Sequence, residues 1–391
     1  MISLREVQSP AGYSLHPKRG TRIKSVADGD FLTAIGLMSG TSMDGIDAAL
    51  VKTDGYQVTV PGPTAFIAYS PGFRVALKTL LRADPENMPS YDHIVGELTA
   101  LHADTVEFLL ADAGVARSEI DVVGLHGQTV FHAPDQGLTR QLGGGQSLAS
   151  QTGLPVVADF RGNDVAAGGQ GAPFAPLYHA ARAQGLERPL AVLNIGGVAN
   201  ITWLGPAEDE DIWAFDTGPG SALIDDWVSH HGLGNYDTDG ALAAAGVVDE
   251  EALAELMAHA YFRQSPPKSL DRNDFNPSPV SALSVENGAA TLTAFTVRSI
   301  VMALDHLPVE PVRWLVCGGG RHNATIMRLL NDCLAAPVEP VEQVGWSGDH
   351  LEAEAFGFLA VRSLKGLPLS IPTTTGVARP MPGGILFQPE E

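Results

Sequence analysis

The chain has 391 residues, 45% of them hydrophobic, with 45 Asp and Glu against 24 Lys and Arg and a formal net charge of −21. That length supports two domains with sizeable cores, while the charge argues against a nucleic-acid or anionic-membrane partner. A nucleotide stays compatible, because backbone N–H groups, a cation or two and Mg²⁺ make a local positive site. The two cysteines, Cys317 and Cys333, are too few for a disulfide framework or a thiolate zinc site, and fit a reducing cytoplasm.

Residues 1–30 carry Arg5, Glu6, Lys18, Arg19 and Lys24 without an apolar h-region, so they read as a flexible extension and not as a secretory signal. No run of about 18 apolar residues follows, so no membrane span is expected. From Phe31, two apolar runs flank Ser39-Gly40-Thr41-Ser42-Met43-Asp44-Gly45, which reads as a tight connection between paired strands. Its small residues let backbone approach a ligand, its hydroxyls and N–H groups suit phosphate oxygens, and Asp44 or Asp47 could hold a hydrated metal ion.

A helix is predicted from Tyr91 to Ala113 with Asp92 as its cap, then buried strands at Asp121–Gly127 and Leu154–Asp159. His126, Gln128, Thr129 and His132 gather at the end of the first of these strands without metal-ligand spacing, so sugar-hydroxyl recognition is their sharper reading. Asp159 to Pro173 packs two carboxylates, Arg161 and four glycines into 15 residues, a segment costly to order unless it lines a site. If Arg161 pairs with one Asp, the other is free to act as a base.

At Arg188-Pro189 the pattern restarts, and Leu190 to Thr202 repeats an apolar strand, a Gly196-Gly197 bend and a second strand, which reads as a duplicated domain with a cleft between two lobes. Phe215-Asp216-Thr217-Gly218 allows either a turn-capping Asp216 or a second phosphate or metal loop. Helices are expected at Ser221–His230, Glu250–Tyr261 and Gly288–Leu307. A strand at Trp314–Cys317, with Cys317 in the core, then runs into Gly318-Gly319-Gly320 and a helix at Ala324–Leu334. A final helix, Leu351–Leu364, precedes a tail rich in Pro, Thr and Gly. Three Gly-rich bends, one of them before a helix, suit a nucleotide cleft.

These segments, in this order, resemble the anhydro-N-acetylmuramic acid kinase family from about Ile35 to the C-terminus. The resemblance is carried by Gly36 to Asp47, His126-Gly127-Gln128-Thr129, Asp159-Phe160-Arg161 with Asp164 and Gly168 to Pro173, Asn194 to Asn200, Phe215 to Gly220, Pro266-Pro267-Lys268-Ser269, and Cys317 to Gly320. It implies an α/β, two-lobed fold of the sugar kinase, Hsp70 and actin kind, a ribonuclease H-like unit duplicated around an ATP cleft. Lobe I would span 31–187, with 350–391 returning to it, and lobe II 188–349.

The family likeness also implies a cytoplasmic homodimer that converts 1,6-anhydro-N-acetylmuramic acid, ATP and water to N-acetylmuramic acid 6-phosphate and ADP in cell-wall sugar recycling. It places ATP on Gly40, Thr41, Ser42, Met43, Asp44, Gly45, Ile46 and Asp47, with Gly196, Gly197, Gly318, Gly319, Gly320 and Asn323. It makes Asp164 the catalytic aspartate. His126, Gln128, Thr129, Arg161, Asp216 and Gly218 are the sugar-site candidates, and Asp44 and Asp216 the Mg²⁺ candidates. The chain departs from the family pattern at Gln141-Leu142-Gly143-Gly144-Gly145 and at Leu270-Asp271-Arg272. An anhydro sugar has no free O6 hydroxyl, so a base must activate water at the anomeric carbon while O6 leaves and takes the phosphoryl group.

Overall fold

The computed structural model describes residues 29–40, 42–59, 62–81, 88–207 and 211–390. The expected N-terminal extension lies almost wholly outside the described residues. Strands β1 (Leu32–Ser39), β2 (Gly45–Thr53), β3 (Thr64–Ala68), β4 (Val122–Ala133), β5 (Leu138–Leu142), β6 (Val156–Ala158) and, from the C-terminal tail, β12 (Ile385–Phe387) form one sheet. Strands β7 (Leu190–Ile195), β8 (Val198–Leu204), β9 (Ile212–Pro219), β10 (Arg313–Cys317) and β11 (Val338–Pro340) form a second.

The sheets repeat one topology. The first runs β3-β2-β1-β4-β6 and the second β9-β8-β7-β10-β11. In each, the first three strands in sequence pair antiparallel, and two further strands, β4 and β6 in the first sheet and β10 and β11 in the second, add in parallel. The duplication read from the two Gly hairpins is therefore a duplication of whole sheets.

Period-2 alternation sorts the side chains of each sheet between two cores. Ile35 and Leu37 of β1 point outward to the helices of the first half, while Ala34 and Met38 face inward. In the second sheet Ala191, Leu193 and Ile195 of β7 pack with the outer helices, and Leu190 and Val192 face inward. Between the two inner faces lie helices Leu351–Leu364 and Pro176–Arg182, so their residues share one core with both sheets.

Helix Leu351–Leu364 packs across β1, β2 and β4. Glycine makes this possible. A methyl at Gly36 would fall 1.8 Å from the Ala353 carbonyl oxygen, and one at Gly124 would fall 2.2 Å from that of Phe356. The two central strands thus touch the helix backbone directly, which brings its N-terminal turn to the end of the cleft.

Sequence boundaries shift modestly. Helix Tyr91–Ala113 forms as expected, but its N-cap is Ser90 and Asp92 lies in the first turn. The predicted Glu250–Tyr261 helix stops at Met257, and the Gly288–Leu307 helix forms as Val285–Met302 followed by a 3-10 turn. After Leu364 the tail is not helical throughout. It makes the short helix Pro372–Thr375 and strand β12, which pairs with β6.

Gly36→Ala is expected to overpack this contact and lower stability by about 1–3 kcal/mol. A thermal melt matching the parent protein would contradict the close approach.

Candidate active site

Alternation also fixes which polar side chains reach the space between the sheets. On β9, Phe215 belongs to the outer core, so Asp216 points inward. By the same parity Asn194 on β7 and Asn200 on β8 turn inward, each flanked by outer-core neighbours. These three strand residues line a solvent-connected cavity together with Arg161, Ala172–Ala175, and Glu352, Ala355 and Phe356 of helix Leu351–Leu364.

Two carboxylates and one guanidinium therefore share the cavity. Asp216 is 6% exposed. Its Oδ2 accepts from the Leu270 N–H at 2.8 Å, and Oδ1 has no partner among the described residues. Burial pushes its carboxyl up to about 7, against the lowering pull of the Leu270 N–H, Arg161 and Lys268. Glu352 is also raised by its surroundings, with Arg161 pulling the other way.

Arg161 is held from behind. His126 donates from Nδ1 to the Gly127 carbonyl at 2.8 Å, which leaves Nε2 as an acceptor for Arg161 Nε at 3.1 Å and a terminal guanidinium nitrogen at 3.0 Å. Burial and the adjacent guanidinium drive the His126 pKa well down, so the ring stays neutral and keeps accepting. Arg161 also donates to the Gly171 carbonyl at 2.5 Å. Of the expected sugar-site residues, Arg161 and Asp216 thus line the cavity and His126 acts as the support of Arg161.

The others are engaged elsewhere. Gln128 Oε1 accepts from the Ser39 hydroxyl at 2.6 Å inside the first half, and Thr129 Oγ1 accepts from Gln141. Gly218 is closed by Ser299, whose Oγ would lie 2.4 Å from a Cβ there.

Asp164 lies in the short helix Gly162–Ala166. It is 1% exposed, and both oxygens are occupied. Oδ1 accepts from the Gly171 N–H at 2.7 Å, and Oδ2 accepts from the Thr375 hydroxyl at 2.6 Å and from the Ser370 hydroxyl. Asp159 is likewise committed, accepting from the Gly162 N–H at 3.0 Å. Arg161 forms an ion pair with neither. The Asp164 carboxylate thus links loop 162–171 to the C-terminal tail.

The glycine bends converge through residues 348–350. The Gly318 N–H donates to the Gly348 carbonyl at 3.2 Å, and Arg321 grips Asp349 with two contacts of 2.8 Å. His350 Nδ1 lies 3.2 Å from Asp47 Oδ1, and that carboxylate raises the His350 pKa. The first-half hairpin and the second-half Gly318 bend therefore meet at the N-terminus of helix Leu351–Leu364, where backbone N–H groups favour anions. Gly40, Gly196 and Gly319 present open backbone, since a Cβ on any of them would meet nothing closer than 3.6 Å.

Other members of the expected nucleotide set serve the scaffold. Ile46 is fully buried in the outer core, Gly45 abuts Ile67 and Phe66, and Gly320 abuts Ile195. Asn323 caps helix Ala324–Cys333 by accepting from the Ile326 N–H at 3.0 Å. Thr41 lies outside the described residues.

Asp44 lies at the tip of the first-half hairpin and Asp216 on β9. Among the described residues no group of three or more His, Cys, Asp or Glu is arranged to hold a metal. Asp44 is exposed on the hairpin, with one oxygen accepting from Ser42 at 2.7 Å. One carboxylate beside a phosphate-binding bend fits Mg²⁺ brought in by a nucleotide, because that ion keeps most of its waters.

Asn194, Asn200 and Glu352 escaped the sequence reading. A signal existed: each Asn interrupts an apolar strand at an inward-facing position, and Glu352 opens a helix that is otherwise buried.

Comparison with known proteins gives a family model described as anhydro-N-acetylmuramic acid kinase that matches residues 32–389. Curated proteins of that name align with the chain over nearly their whole length. That of Rhodospirillum rubrum is 52% identical over 90% of this chain and 93% of its own, and that of Acidiphilium cryptum 53% identical over 91% and 98%. Solved structures match far more distantly. Component A of Acidaminococcus fermentans (R)-2-hydroxyglutaryl-CoA dehydratase aligns at 11% identity and a TM-score of 0.46, over 85% of this chain and 99% of that one.

Asp164→Asn replaces an acceptor in a cage of three donors, so a stability loss of about 1–3 kcal/mol is expected. A melting temperature matching the parent would contradict the cage.

Proposed function

The chain belongs to the anhydro-N-acetylmuramic acid kinase family, and we propose that its cleft opens 1,6-anhydro-N-acetylmuramic acid with water while transferring the γ-phosphoryl group of ATP to O6, giving N-acetylmuramic acid 6-phosphate and ADP. The observation that carries this reading is the cavity between the sheets, where Asp216 and Glu352 flank Arg161 beside the meeting point of two glycine bends.

Asp164 is the base, as the family likeness implies, on the same segment that carries Arg161. It takes a proton from water as the water oxygen bonds to the anomeric carbon. Asp216, with Oδ2 fixed by the Leu270 N–H, faces the sugar side of the cavity. The C1–O6 bond breaks, and O6 accepts the phosphoryl group as ADP leaves. Arg161, kept charged against a neutral His126, balances the two carboxylates and orients the sugar.

The Gly40, Gly196 and Gly319 backbones and the N-terminus of helix Leu351–Leu364 receive the phosphates. Mg²⁺ would be held by Asp44 through water and would supply charge neutralisation on the transferring phosphoryl group. The two lobes are drawn at 31–187 with the returning tail and at 188–349. No described helix is long and apolar enough to cross a membrane. A homodimer acting in the cytoplasm completes the proposal, and light scattering tests the dimer.

Incubation with Mg-ATP and the anhydro sugar should give a product heavier by one water and one phosphoryl group. Gain of water alone would indicate a hydrolase using a carboxylate pair, and no gain a nucleotide-binding regulator.

Asp164→Asn should lower kcat about 10²–10⁴-fold while binding of ATP and sugar is kept. Near-normal turnover would contradict that role.

A further inference from the structure

The Asp164 carboxylate is held by neutral donors, and two of its three partners come from the C-terminal tail. The Gly171 N–H donates to Oδ1 at 2.7 Å, while the Thr375 hydroxyl, at 2.6 Å, and the Ser370 hydroxyl both donate to Oδ2. Each oxygen of a carboxylate offers two lone pairs. Oδ2 is therefore filled, and Oδ1 keeps one lone pair for a further donor.

The tail is itself fixed so that both hydroxyls arrive together. Strand β12 pairs with β6, the strand that leads into the Asp164 segment. Ser370 pairs through its backbone with Met381. Thr375 ends the short helix Pro372–Thr375, its N–H donating to the Ile371 carbonyl at 3.2 Å, and its carbonyl accepts from the Gln170 N–H at 2.6 Å. Both residues are buried, so neither hydroxyl has bulk water to bond instead. From the same short helix Thr373 donates to the Ile212 carbonyl on β9, the strand that carries Asp216 into the cavity wall. The tail thus reaches the Asp164 segment and the second sheet at once.

Loop 168–171 closes over the other oxygen. A methyl at Gly169 would fall 2.2 Å from Asp164 Oδ1, so the loop backbone lies directly against the carboxylate.

We infer that Ser370 and Thr375 are positioning residues for Asp164. By occupying Oδ2 they set the rotation of the carboxylate and leave Oδ1 to take the proton from water. Both hydroxyls act through Asp164, so the inference rests on Asp164 being the base.

The test assays Thr375→Val, Thr375→Ser and Ser370→Ala beside Asp164→Asn, with Mg-ATP and the anhydro sugar. Valine keeps the shape of threonine without its hydroxyl, and serine keeps the hydroxyl without the methyl. Thr375→Val and Ser370→Ala should each lower kcat about 10–100-fold, as misplacement of a reacting group does, with KM for each substrate within about twofold of the parent. Thr375→Ser should recover most of the loss. Parent-like kcat in both variants that lack a hydroxyl, KM rising in step with the loss of kcat, or Thr375→Ser as slow as Thr375→Val would overturn the positioning role. Should Thr375→Val fail to fold, Ser370→Ala decides alone. If Asp164→Asn is inactive while Thr375→Val and Ser370→Ala turn over normally, only this inference fails. If Asp164→Asn turns over normally, the base assignment fails first.

Discussion

The close approach of helix Leu351–Leu364 to Gly36 and Gly124 governs the rest of the molecule. Side chains on β1 and β4 at those positions would push the helix off the first sheet, and with it the shared core that joins both sheets. Because the helix backbone is seated directly on the strands, its first turn comes to the end of the cleft, where Glu352 enters the cavity and residues 348–350 reach both glycine bends. One contact of backbone on backbone therefore sets the spacing between the phosphate side and the sugar side.

Within that frame the active site follows from strand parity. Outer positions of the second sheet are Phe, Leu and Ile and build a helix-covered core, so the intervening Asn194, Asn200 and Asp216 have only the cleft to face. Burial then does two different things to two aspartates. Asp164 is buried among three donors, whereas Asp216 has one, and the proton affinity of Asp216 rises.

Much of this was legible in the residues. The Gly40 and Gly196 hairpins disclosed the duplication, and helix Tyr91–Ala113 and strand Arg313–Cys317 lie where apolar spacing puts them. Motif order disclosed the family. What stayed hidden was assigned by contacts distant in sequence: Ser370 and Thr375 reach Asp164 from more than two hundred residues away, and the Leu270 N–H reaches Asp216 from the far side of several intervening helices. His126 looked like a sugar ligand because its neighbour Arg161 is brought to it only by pairing of β4 with β6.

The account turns on which carboxylate meets the water. A crystal structure with the anhydro sugar and a non-hydrolysable Mg-ATP analogue should show a water at the anomeric carbon within about 2.6–3.2 Å of an Asp164 carboxylate oxygen, the reach of a general base. A water held instead by Asp216 or Glu352, with Asp164 remote from it, would contradict it.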